Sequence, residues 1–273
     1  MKKQIVLVTG ASSGMGKDFA RALARQGMVV YAAARRLENM RDLEAEGIIP
    51  LCMDITLSAD IEAVVAQIER EHGGVDVLVN NAGFGMYGAV EDTTIDDARY
   101  QFEVNLFGLA RLTQLVLPHM REQRAGKIIN ISSIGGKIYS PLGAWYHATK
   151  HALEGWSDCL RIEVQQFGID VVVVEPGAIA TEFSDVLMGP MMERSGSGPY
   201  GFIANKLEQA TKNNFASGNL SAPSVITDLV VKAVRARRPK TRYAGGKYAG
   251  IMLFIRRWFS DRIFDRAIMS FVK

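Results

Sequence analysis

Ile5-Val6-Leu7-Val8-Thr9-Gly10-Ala11-Ser12-Ser13-Gly14-Met15-Gly16 is the stretch that decides the fold. Four aliphatic residues in a row read as a strand buried on both faces. Gly10, Gly14 and Gly16 follow, and a helical pattern then runs from Lys17 to Gln26. Glycine lets the chain turn tightly and lets a ligand approach where a Cβ would stand in the way. The helix beyond offers backbone N–H groups and the positive end of its dipole, which suits a pyrophosphate. The spacing Gly10-x-x-x-Gly14-x-Gly16 differs from the Gly-x-Gly-x-x-Gly dinucleotide fingerprint. An ordinary βα turn would use similar residues, so the weight comes from what lies on either side.

Met28 to Ala34 is a second strand and ends in Arg35-Arg36. In dinucleotide-binding folds an acid at this point binds the ribose 2′-hydroxyl, whereas arginine accommodates a 2′-phosphate. Ala34 followed by Arg35 therefore points to NADP rather than NAD, with Arg35 on the phosphate; the alternative is a solvated arginine at a strand end. A helix over 37–46 and a strand over 48–53 lead to Asp54-Ile55. Asp54 either accepts from an adenine amino group or caps the helix that begins near Ser58. Strand 75–79 runs into Asn80-Asn81-Ala82-Gly83, small and amide residues suited to a close approach to ribose. A long helix over 95–124 carries Asn105 in its middle, where propensity does not explain it. A structural water, a backbone irregularity or an interface would.

Strand 127–131, helix 144–167 and strand 169–175 follow, the last ending in Pro176-Gly177. From 178 to 223 the periodicity weakens, and a segment of that length reads as a substrate lid or as disordered. A helix over 224–238 and a short strand near Thr241–Tyr243 complete the pattern. The alternation predicts an α/β fold: a Rossmann-type, doubly wound parallel sheet in one domain over residues 1–245. Ligands then bind beyond the carboxyl ends of the strands, where the glycine loop, Arg35, Asp54, Asn81 and Pro176 all fall.

Tyr146 and Lys150 are four apart, so a helix places them on one face. Alone, such a pair is ordinarily an aromatic beside a solvated lysine. Beside a buried phenol, however, an ammonium favours phenolate and lowers a pKa normally near 10. A tyrosine so tuned passes protons to or from an alcohol or ketone oxygen. Ser133, at the end of the preceding strand, can hydrogen-bond the same oxygen.

Taken together, Thr9-Gly10 through Gly16, Asp54, Asn80 to Gly83, Asn105, Ser133, Tyr146-x-x-x-Lys150, and Pro176-Gly177 with Thr181 resemble the short-chain dehydrogenase/reductase family over residues 4–243. The chain is most similar to its hydroxysteroid and retinol dehydrogenase-like branch. The resemblance implies hydride transfer between NADP(H) and an alcohol or carbonyl carbon. It implies that Tyr146 is the general acid/base, that Lys150 lowers its pKa and holds the nicotinamide ribose, and that Ser133 positions the substrate. Asn105 would hold a water of a proton relay. The implied cofactor contacts are Gly10, Ser12, Ser13, Gly14, Met15, Gly16, Arg35, Asp54, Ile55, Asn81, Ala82, Gly83, Tyr146, Lys150, Pro176, Gly177 and Thr181. No metal is expected. A homo-oligomer, dimer or tetramer, is.

The substrate side is read from Phe84, Met86, Ile138, Tyr139, Trp145, Phe183, Met188, Met191, Met192, Phe202 and Ile203, which suggest an apolar carbonyl or alcohol; packing of the lid or of an interface is the alternative. The 273 residues hold two cysteines, Cys52 and Cys159, without metal-ligand spacing, so a reducing, cytoplasmic setting is expected. No uncharged apolar run approaches the ~20 residues of a spanning helix. The net charge of +3 hides an asymmetry: residues 232–273 hold 12 basic and 2 acidic side chains, the remainder 20 and 27. Residues 246–273 read as a basic amphipathic extension. It packs on the body or on another subunit, or else lies on an anionic membrane surface. Nucleic acid is excluded as a partner by the large apolar residues among these charges and the lack of a reading motif. Two rival functions remain: a non-catalytic NADP-binding regulator, and a membrane-surface interaction protein on the same scaffold.

Overall fold

The structure is a computed structural model and describes residues 3–181, 183–218 and 220–270, the side chains of 183–186 and 215 excepted. Its strands are β1 (Ile5–Thr9), β2 (Val29–Ala34), β3 (Ile49–Cys52), β4 (Val77–Asn80), β5 (Gly126–Ile131), β6 (Ile169–Pro176) and β7 (Arg242–Gly245). They form one parallel sheet in the order β3-β2-β1-β4-β5-β6-β7. The order reverses between β1 and β4, with Val8 aligned to Ala32 on one side and to Val79 on the other. A ligand crevice opens beyond the carboxyl ends of the strands at such a switch point.

The helices are α1 (Gly14–Arg25), α2 (Ser58–His72), α3 (Ile95–Phe102), α4 (Gly108–Gln123), α5 (Ala144–Val164), α6 (Phe183–Ser195), α7 (Gly201–Ala216), α8 (Ser224–Arg235), α9 (Ala249–Trp258) and α10 (Asp261–Ser270). Side chains alternate across each strand. Val6 and Val8 join Phe19 and Leu23 of α1 and Ile226 and Val230 of α8 in one core. Ile5 and Leu7 join Ile61 and Val65 of α2, Leu112 of α4 and Leu160 of α5 in the other. With both faces covered, β1 has no polar face to show, hence its unbroken aliphatic run.

Three segments differ from the sequence-based expectation. Leu37–Glu46 is a run of 3-10 turns, closed by Gly47 in the left-handed region at φ 75°. The expected helix over 95–124 is interrupted by a π turn, Glu103–Phe107, with Asn105 buried at its centre. A backbone irregularity was among the readings of that asparagine. Residues 178–223 contain α6 and α7 where no periodicity was legible. Pro190 inside α6 removes a helix N–H and disguises the pattern.

Past β7, α9 and α10 lay one side against the body. Met252, Phe264 and Ile268 form a small core with Ile138, five residues after Ser133. No described helix is long and apolar enough to cross a membrane.

Candidate active site

β5 delivers Ser133. The Ser132 N–H donates to Val174 O at 2.8 Å, which holds the strand end in register with β6. Ser133 then caps a short 3-10 turn over Ile134–Gly136, its Oγ accepting from the Gly135 N–H at 3.0 Å. The Ser133 side chain is also hydrogen-bonded to that of Tyr146, in the first turn of α5. The Ser132 side chain is buried in a different direction: a Cβ on Gly136 would come within 2.8 Å of its Oγ.

Lys150 lies one turn beyond Tyr146, and both are buried. Its Nζ donates to Ile131 O at 2.9 Å. Asn105 reaches the site from the π turn. Its Nδ2 donates to Phe84 O at 2.9 Å and to Thr149 Oγ1 at 3.0 Å, and its Oδ1 accepts from the Phe84 N–H at 3.0 Å. Thr149 Oγ1 in turn donates to Tyr146 O at 2.8 Å. Gly83 completes the contact: a Cβ there would lie 3.1 Å from Asn105 Oδ1 and 3.8 Å from Lys150 Nζ. Ser133, Tyr146 and Lys150, Asn105, and Gly83, from four separate segments, thus meet in one place.

Burial dominates the electrostatics. It pushes the Tyr146 phenol above its ordinary value, with the Ser133 hydrogen bond opposing and Tyr87 adding to the rise. It pushes the Lys150 ammonium down to about 8, against the favourable field of Glu154. The sequence led us to expect Lys150 to depress Tyr146. In the chain by itself desolvation dominates and the opposing pull comes from Ser133, because a phenolate loses more hydration on burial than its neighbours return.

The residues expected to hold the cofactor include the loops that follow β1 and β4. Gly10 has φ 66°, and a Cβ there would stand 2.8 Å from Ala82 Cα. A Cβ on Gly16 would stand 2.3 Å from Gly10 O. The Asn81 amide donates to Thr9 O at 3.0 Å and Gly10 O at 3.3 Å, so its side chain pins the glycine loop. Gly14 has open space on its Cβ side. Ser13 is the N-cap of α1 but its side chain makes no hydrogen bond to the helix, and the first turn of α1 carries no acid. An open glycine cradle beneath a helix N-terminus with no competing carboxylate fits a dinucleotide pyrophosphate. Ser12 is buried in this loop, and Met15 packs against the core below it.

At the end of β2 the two arginines separate. Arg35 Nη1 donates to Tyr100 Oη at 3.2 Å. Arg36 Nη2 donates to Ser12 Oγ and Ser13 Oγ, each at 3.3 Å. Arg36, which sequence reasoning passed over for Arg35, is therefore the arginine held against the glycine loop. Asp54 Oδ1 accepts from the Thr56 N–H at 2.9 Å and the Thr56 hydroxyl at 2.8 Å, closing its own turn rather than capping α2, whose N-cap is Leu57. Ile55 is buried under α4, where a Cβ on Gly108 would be 2.1 Å from its carbonyl oxygen. Pro176 ends β6 opposite Gly245, and the Gly177 N–H donates to Gly245 O at 2.7 Å. Thr181 lies partly exposed before α6.

Several residues expected on the substrate side have other duties. Ile138 packs on the α9–α10 core, and the Tyr139 ring lies 5.0 Å from that of Phe264. Met191 is fully buried and Phe202 projects into solvent. The Phe183 side chain lies outside the described residues. Tyr87, which the sequence did not single out, has its ring 6.0 Å from that of Tyr146.

A second charged group was also missed. Glu154, one turn past Lys150, accepts from Arg242 at 3.0 and 3.1 Å and pairs with Lys137 at 3.0 Å. Arg242 also pairs with Asp158 at 2.6 Å and Glu175 at 3.3 Å. Burial, then the Glu154 charge, pushes Glu175 up to about 7. The four-residue spacing from Lys150 was a visible signal for Glu154; nothing local joined it to Arg242. Among the described residues no group of His, Cys, Asp and Glu could hold a metal ion.

A doubly wound parallel sheet with a glycine cradle at its switch point defines a dinucleotide-binding α/β protein. The family model of the short chain dehydrogenases matches residues 4–188, and the chain belongs to that family. It is 45% identical to 3-ketodihydrosphingosine reductase of Bacteroides thetaiotaomicron over 186 residues, 68% of this chain and 67% of that one. Among solved structures, a short-chain dehydrogenase from Streptomyces avermitilis aligns with a TM-score of 0.80 at 34% identity, covering 99% of this chain and 96% of the other. The closed form of serine dehydrogenase complexed with NADP+ aligns with a TM-score of 0.76 at 28% identity, covering 89% and 94%.

Proposed function

We propose that the protein is an NADP(H)-dependent oxidoreductase that interconverts an alcohol with a ketone or aldehyde on a hydrophobic substrate. The observation that carries this reading is the Ser133–Tyr146 hydrogen bond one helical turn from the buried Lys150 ammonium. The bound dinucleotide supplies or accepts the hydride. In reduction, negative charge grows on the substrate oxygen, and Ser133 and Tyr146 donate hydrogen bonds to it. Tyr146 then gives up its proton. Its raised pKa keeps it protonated at neutral pH, ready to act as the acid. Lys150 stands by as a fixed positive charge that favours phenolate once the proton has left. Both amide hydrogens of Asn105 are committed to Phe84 and Thr149, so a relay water held by this residue would donate to one of its oxygens.

The preference for NADP is supported by Ala34, which brings no carboxylate to the end of β2, and by Arg36, which lies against the loop. The NADP+ complex of a structural relative supports it too. The apolar substrate is supported by the Bacteroides relative, named as a reductase of 3-ketodihydrosphingosine. A cytoplasmic homo-oligomer belongs to the same reading. Exposed Tyr100, Phe107 and Ile162 offer faces for a second copy.

Purified protein mixed with NADPH or NADH and carbonyls from small aldehydes to long-chain ketones, steroids and retinal tests the reading. NADPH oxidation concentrated on bulky apolar carbonyls is the expected result. Tight NADPH binding without turnover on any of them would turn the reading toward a regulatory dinucleotide-binding protein.

A further inference from the structure

We propose that α9 and the start of α10 form a docking surface for an anionic phospholipid bilayer. Ile251, Phe254 and Trp258 stand three and four residues apart on α9, so they form one stripe. They are 59%, 56% and 67% exposed, and Phe259 and Ile263 extend the stripe past the α9–α10 turn. This face is distinct from the one that holds the tail to the body, which is made by Ala249, Met252, Phe264 and Ile268. A tail needed only for packing has no use for a second apolar face. Large apolar side chains held in water, next to one another, mark an interaction site.

The charges around the stripe choose the occupant. Arg257 stacks on Trp258, with its guanidinium carbon 5.6 Å from the ring. Arg262 and Arg266 are exposed and make no ion pair among the described residues. Both acids of α10 are engaged locally: Asp261 with Arg256 at 2.7 Å, and Asp265 accepting from Tyr139 Oη at 2.9 Å. What the tail presents outward is therefore apolar and positive. A second copy of the chain would bring more of the same positive charge to this face. An anionic bilayer complements both features. The apolar stripe enters the boundary between headgroups and acyl chains, tryptophan takes its preferred interfacial place, and the arginines meet lipid phosphates. The loop bearing Ile138 and Tyr139, just beyond Ser133, packs on the inner side of the same helices. Docking would thus bring the site close to carbonyls carried in lipid. The docking itself does not depend on the hydride-transfer reading, since vesicle binding needs no turnover.

The test is flotation of the full-length protein with vesicles of phosphatidylcholine alone and of phosphatidylcholine mixed equally with phosphatidylglycerol. The expected result is capture by the anionic vesicles at low salt, release near ~1 M salt, and no capture by phosphatidylcholine. Capture should be accompanied by a blue shift in tryptophan emission that Trp258→Phe abolishes. The double variant Phe254→Ser/Trp258→Ser and the triple variant Arg257→Gln/Arg262→Gln/Arg266→Gln should each weaken partitioning by about tenfold or more. Their melting temperatures and NADPH affinity should match the wild type, which separates lost docking from lost folding or lost chemistry. Failure of the wild type to float with anionic vesicles would overturn the proposal. So would unchanged flotation of the double variant together with loss of an oligomer, which would make the stripe a subunit interface.

Discussion

In the proposed reaction Tyr146 acts as an acid before it acts as a base. Burial raises its pKa, and Ser133 shares its hydroxyl. Tyr146→Phe keeps the ring and the packing but removes the proton, so turnover should fall by about 10²–10⁴-fold. NADPH affinity, measured by fluorescence titration, should stay near wild type; equal loss of both would give the phenol a structural role. The same scale decides between the arginines. Arg36 lies against the hydroxyls of the glycine loop, while Arg35 is turned to Tyr100. Losing a charge-assisted phosphate contact costs about 1.5–3 kcal/mol, so Arg36→Ala should raise the NADPH Kd by about tenfold or more and leave NADH unchanged. A larger effect from Arg35→Ala would reverse the assignment. Sequence alone could see two arginines at a strand end. Which one faces the loop depends on the twist of the chain as it leaves β2, and no residue type reports that.

At the scale of elements, the β1–α1 junction was legible because it is local. A buried strand, a glycine turn and a helix start are contiguous, and each has its own residue signature. Gly14 and Gly16 nevertheless serve different ends. Gly14 needs its positive φ of 51° and has open space around it, so alanine there costs only the left-handed strain of about 1–2 kcal/mol. Alanine at Gly16 would meet a carbonyl oxygen at 2.3 Å and force the loop off Asn81. Melting curves and NADPH titrations should therefore rank Gly16→Ala as the more damaging of the two in both stability and affinity. The π turn at Asn105 and the two helices of residues 178–223 were illegible for a related reason. Their backbones follow what they pack against, and a proline in α6 hides what periodicity there is.

At the scale of the molecule, α5, β6 and β7 meet at one guanidinium. Glu154, Asp158 and Glu175 converge on Arg242, some seventy to ninety residues away in sequence. Glu175, at about 7, has a folded pKa above its unfolded value of about 4.3. The folded state therefore keeps a proton that the unfolded state has lost. The stability this lends is complete below about pH 4.3 and is lost as pH rises through about 7, a change of up to about 3 kcal/mol. Glu175→Gln removes the titration. Urea midpoints at pH 5 and pH 8 should fall further for the wild type than for the variant, and identical falls would disprove the coupling.

The sequence by itself determined the parallel α/β architecture, the glycine cradle and the Ser133, Tyr146 and Lys150 set. Periodicity, turn chemistry and helical spacing are properties of neighbours along the chain. Only the tertiary structure decided that Asn105 meets Phe84 and Thr149, that Arg36 reaches the loop, and that Arg242 closes over Glu154 and Glu175. It also decided which face of the tail is buried and which stays outside. Those contacts join residues far apart in sequence, and their energies depend on burial and direction, which exist only once the sheet has assembled.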